Sequence, residues 1–73
     1  TATHWEMHPA GDEILFLLSG AVAVVLETGG GERRVPLRPG EATVVPAGVW
    51  HTLEVGEPGR LLSITRAGGT ETR

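Results

Sequence analysis

Histidines and carboxylates carry the chemistry open to this chain, because it has no cysteine. Imidazole and carboxylate groups transfer protons near neutral pH and ligate metals. His4, Glu6 and His8 alternate with Thr3, Trp5 and Met7. In a strand that alternation puts His4, Glu6 and His8 on one face, with neighbouring Cα atoms about 6.6 Å apart. Glu13 follows across Pro9-Ala10-Gly11-Asp12, a turn sequence in which Asp12 reads as a turn residue. His51 comes just after Pro46-Ala47-Gly48. Proline there has no N–H for a strand ladder, and glycine allows positive φ. A histidine that opens a strand past a tight turn is held firmly near a sheet end, where sites are often built. The bland alternatives are that His51 caps the turn or bonds a backbone carbonyl, and that Glu13 is solvated at a strand start.

The elements that must position these groups read as strands. Glu13 to Ser19 contains the apolar run Ile14 to Leu18, and Ala21 to Leu26 is a second run rich in valine. The joint Ser19-Gly20 is too tight for a helical crossover, so the two pair antiparallel or form one bent, bulged strand. Thr28 to Glu32, with its glycine triplet, reads as a hairpin loop. Arg33 to Leu37 carries Pro36, which marks an edge strand. Arg33, Arg34 and Arg38 read as exposed there. Further strands are expected over 42–45, 50–55 and 60–65, with turns at 38–41, 46–48 and 56–59. Residues 67–73 are polar and expected to fray. Short strands at this spacing predict an all-β protein, an antiparallel sandwich or barrel. The expected core is Ile14, Phe16, Leu18, Val22, Val24, Leu26, Val44, Leu53, Leu62 and Ile64, or their neighbours of opposite parity.

Composition narrows the partners. The chain has 73 residues, enough for one domain, 1–73, and no second core. With net charge −3 and six scattered arginines as its only Lys or Arg, it lacks the basic face of a nucleic-acid binder. No apolar run is long enough for a membrane span. The N-terminus lacks the charged and apolar regions of a secretory leader, and the expectation is a cytoplasmic protein. A chain this short is marginally stable alone, so further stability should come from a second subunit or a bound ion.

The spacing of Gly40, Pro46, Gly48 and His51 resembles the second conserved motif of the cupin superfamily at each signature position through the histidine. Cupins follow that histidine with an Asn four residues on, where this chain has Val55. The first motif, His-x-His, three or four residues, Glu, six residues, Gly, resembles the run from Glu6 through His8 and Glu13 to Gly20. Here Glu6 stands in place of the first histidine. Together the two motifs span residues 6 to 51, and the segment from Trp5 to Glu13 looks like that of small single-domain bacterial cupins.

The resemblance implies an antiparallel double-stranded β-helix, the jelly-roll barrel. Carried over position by position, it implies one divalent metal held by Glu6, His8, Glu13 and His51. Two imidazoles and two carboxylates suit Mn, Fe or Zn. Glu6 has a second reading as a general base, and His4 is a lesser stand-in ligand. Trp5 and Trp50 read as packing or interface aromatics. In cupins one or two strands usually precede the first motif and often pair across a dimer. Only about five residues precede it here, which implies a homodimer that covers the sheet edge. The functions implied are an enzyme acting on a small metabolite held in the barrel, a non-enzymatic small-molecule binder, or a degenerate, metal-free cupin. The resemblance names no substrate or reaction.

Overall fold

The computed structural model describes residues 4–66 and 68–73. Among the described residues eight strands follow in chain order: β1 (Glu6–Met7), β2 (Glu13–Leu17), β3 (Ala21–Thr28), β4 (Gly31–Leu37), β5 (Ala42–Val45), β6 (His51–Glu57), β7 (Leu61–Thr65) and β8 (Glu71–Thr72). They form two antiparallel sheets, one ordered β4-β3-β6-β1-β8 and the other β5-β2-β7. This is the all-β jelly roll, with no helix among the described residues, and so none long and apolar enough to cross a membrane.

Local chemistry explains most of the boundaries. β3 and β4 make a hairpin in which Thr28 faces Gly31, and the Thr28 hydroxyl donates to the Gly31 carbonyl at 2.7 Å. β4 is an edge strand, where the missing N–H of Pro36 costs no ladder bond. β2 and β3 neither pair nor run on as one strand. Between them the chain leaves the three-stranded sheet at Ser19-Gly20 and enters the five-stranded one. Gly20 makes that passage with φ +88, and a Cβ there would meet the Glu57 carbonyl oxygen at 2.6 Å. Ser19 and Arg60 exchange backbone hydrogen bonds of 3.2 Å in each direction, pinning the passage to the turn before β7.

The core lies between the sheets and contains Leu15, Leu17, Val24, Leu26, Leu37 and Val45, with Leu53 and Val22 packed against it. Of the expected core, Val24 and Leu26 are buried, but Ile14, Leu18, Val44, Leu62 and Ile64 are 42–55% exposed. The opposite parity holds in β2 and β5, so Leu15, Leu17 and Val45 point inward. An unbroken apolar run carries no period that selects a face. What selects it is Glu13, which shares parity with Leu15 and Leu17 and is itself buried.

The tail differs from expectation as well. Ala67 lies outside the described residues, but Glu71–Thr72 pair with Met7 and Glu6. Arg73 and Trp5 exchange two backbone hydrogen bonds of 3.0 Å. The Arg73 guanidinium lies 4.5 Å from the Trp50 ring centroid and 5.7 Å from that of Trp5, and pairs with Glu27. Stacking and charge together hold a segment whose composition alone reads as loose. Both tryptophans thus act as packing aromatics for the tail.

Candidate metal centre

Two turns bring the chemistry-bearing residues together. Gly48 N–H donates to the His8 carbonyl at 3.0 Å, and Ala47 N–H donates to Asp12 Oδ1 at 2.9 Å. The turn after His8 is thereby locked to the turn before His51. Asp12 is a turn residue, as expected, but it reaches across the molecule to do this. Register completes the arrangement: Glu6 faces His51 between β1 and β6, and Glu13 faces Thr65 between β2 and β7. The two sheets therefore present Glu6, His8, Glu13 and His51 to one point between them.

His8, Glu13 and His51 are 7%, 6% and 5% exposed. Glu13 Oε1 lies 2.8 Å from His51 Nε2 and 3.3 Å from His8 Nε2. The two imidazole centroids are 5.2 Å apart. Glu6 Oε1 stands farther off, 3.9 Å from His8 Nε2, and its side chain is 41% exposed. Donor atoms of Glu6, His8 and His51 all lie within 4.8 Å of one another. Glu13 is closer to both histidines than Glu6 is to His8, so the compact unit is His8, Glu13 and His51, with Glu6 at its open side. The exposed His4 side chain meets this rim, with Nε2 3.4 Å from Glu6 Oε2.

Hydrogen bonding decides what the central atoms can do. His51 Nδ1 donates to the Val49 carbonyl at 3.2 Å, which turns Nε2 toward the centre. The 2.8 Å approach of Glu13 Oε1 to this nitrogen lacks hydrogen-bond alignment, and Oε1 and His8 Nε2 are both buried without a hydrogen-bond partner. Buried polar atoms left without partners this close together are costly, and a cation between them would satisfy both. The other oxygen of Glu13 is fully engaged: Ser63 Oγ donates to Oε2, as does Thr65 Oγ1 at 3.0 Å. Burial pushes the Glu13 carboxyl up, but these two hydroxyls and the nearby His51 and His8 outweigh it and hold it below its ordinary value. Glu13 is thus an anion at neutral pH, with one oxygen fixed and one free. Donors sharing a divalent ion at bonds of about 2.1 Å stand about 3 Å apart, and the separations around Glu13 Oε1 match. The residues present fit such an ion.

Three supporting residues escape the sequence reading. Ser63 and Thr65 orient Glu13, and Thr70 Oγ1 lies 3.0 Å from His8 Nδ1. Ser63 and Thr65 did leave a signal, because they alternate with Leu62 and Ile64 and so put two hydroxyls on one face of β7. Nothing in the polar tail singles out Thr70.

The comparisons agree with the geometry. The family model of the cupin domain matches residues 1–65, and so covers both motifs. No curated protein and no solved structure gives a significant match. With the jelly roll and the clustered motif residues in place, that match over most of its length makes this chain a member of the cupin family.

Proposed function

We propose that this cupin holds one divalent metal ion through His8, Glu13 and His51, with Glu6 as a fourth ligand or as a base beside it, and acts on a small metabolite. The observation that carries the reading is the pair of buried polar atoms without hydrogen-bond partners, His8 Nε2 and Glu13 Oε1, 3.3 Å apart. Two nitrogens and one or two carboxylate oxygens favour Mn, Fe or Zn over Cu(I). Such an ion supplies Lewis acidity toward a substrate oxygen.

The protein's own part is to position and to shield. Val49, Ser63, Thr65 and Thr70 hold the ligating side chains from behind. Leu15, Val24 and Leu26 exclude water from the rest of the interior. Glu6 is half-exposed on the open side, where it can accept a proton from a bound molecule or close on the ion. The supporting test is calorimetric titration of the Mn-, Fe- or Zn-loaded protein with small acids carrying two adjacent oxygen donors. Saturable binding that disappears in metal-free protein supports the reading. Metal uptake with no response to any such acid would leave a metal-binding cupin without the proposed activity.

A further inference from the structure

Charge at the open side of the metal centre bears on what can enter it. Glu6 is the member of the cluster that solvent reaches, its side chain 41% exposed against 8% for His8 and 7% for Glu13. It pairs with His51 on β6 and with Thr72 on β8, so these three side chains stand on the same side of the sheet. Thr72 and His4 are exposed beside it, and His4 Nε2 lies 3.4 Å from Glu6 Oε2. A molecule entering here meets a carboxylate, a hydroxyl and an imidazole. Among the described residues no fixed positive charge balances that carboxylate. The only Lys or Arg residues of the chain are six arginines, all exposed. Arg34 pairs with Glu54 and Arg73 with Glu27, whereas the described ion pairs of Glu6 and Glu13 are with histidines. Glu6 and Glu13 together cancel the charge of a bound divalent ion. A histidine in place of Glu6 would leave the site one unit more positive.

We propose that Glu6 sets the substrate class, favouring an uncharged compound with a hydroxyl next to a carbonyl oxygen over the corresponding acid anion. This rests on the metal-binding reading above and deepens it. Like charges a few ångströms apart repel several-fold more strongly in a partly desolvated site than in bulk water. An incoming carboxylate would face Glu6 with nothing to offset it, which is how a site rejects one ligand in favour of another of the same shape. An uncharged ligand meets no such repulsion, and its hydroxyl can donate to the Glu6 carboxylate. The selection is the same whether Glu6 ligates the ion or stands beside it, because its charge is the same in both roles. Solvent at the half-exposed Glu6 screens part of the repulsion, so acid anions still bind, more weakly, and the expected discrimination is about tenfold.

The test is calorimetric titration of the Zn-loaded protein with glycolate and with glycolamide, which match in shape and differ by one charge. Wild type is expected to bind both. In Glu6→Gln the affinity for glycolate is expected to rise about tenfold relative to that for glycolamide. Because Glu6→Gln also removes a candidate ligand, Thr72→Arg is the second variant. It keeps all four clustered side chains and sets a guanidinium next to Glu6, and it is expected to move the ratio in the same direction. A ratio unchanged in both variants would overturn the proposal while leaving the metal-binding reading intact. So would wild type that binds glycolate and not glycolamide. Zn-loaded protein that binds neither compound would overturn the functional reading and this proposal with it. Zinc content measured on each sample shows that the site is loaded and separates these outcomes from a failure of the metal centre.

Discussion

His51 shows how far one side chain depends on its surroundings. Its Nδ1–H is spent on the Val49 carbonyl, so Nε2 is the nitrogen that points at Glu13. Glu13 does the complementary thing, anchoring Oε2 on Ser63 and Thr65 and leaving Oε1 bare. These anchors give a quantitative expectation. Thr65→Val removes one donor to Oε2 and should weaken metal affinity by about 10- to 100-fold without loss of fold. Metal titration with circular dichroism checks this, and unchanged affinity would make the hydroxyl a bystander. The lowered Glu13 pKa fixes the sign of a pH effect. A carboxyl held lower in the folded state stabilises the protein above its unfolded pKa, and that stability is lost as pH falls through the folded pKa. Metal-free protein should therefore melt lower as the carboxylate range is entered from above, with a shallower fall in Glu13→Gln.

At the scale of elements, the turn at Pro46-Ala47-Gly48 ties the two motifs together. Gly48 has φ +78, with nothing within 4 Å of where a Cβ would lie. A substitution there is penalised by backbone conformation alone. Gly48→Val should cost about 1–3 kcal/mol in urea unfolding, and an unchanged midpoint would contradict the reading of this turn. The strand runs, the glycine hairpin and this turn were legible in the sequence because turn residues state their backbone needs locally. The facing of β2 was not, because Ile14 to Leu18 offers no alternation. The information lay in Glu13, since a residue that must reach the interior fixes the parity of its whole strand. The tail was illegible for another reason. β8 is held by Trp5, Trp50, Glu27 and His8, all distant in sequence, and its own residues carry no strand signal. Ending the chain at Arg66 should lower the unfolding midpoint and weaken metal binding through loss of Thr70, as thermal melts and titration would show.

The whole molecule is small for what it does. Among the described residues of this 73-residue chain eight apolar side chains are buried, and the interior also holds two imidazoles and a carboxylate. Such a domain is marginal alone, and the unpartnered polar atoms at its centre oppose folding. Metal at about a hundred times its Kd should add about 2.7 kcal/mol, raising Tm by roughly 15 °C in a domain of this size. Calorimetry with and without chelator reads this directly. The central claim is that His8, Glu13 and His51 close around one ion, and elemental analysis meets it most directly. Untagged protein purified without chelator would be compared with His51→Ala. The account predicts close to one equivalent of Mn, Fe or Zn per chain, lost in the variant while the fold remains. No metal in either protein, even after each candidate ion is added back, would contradict it.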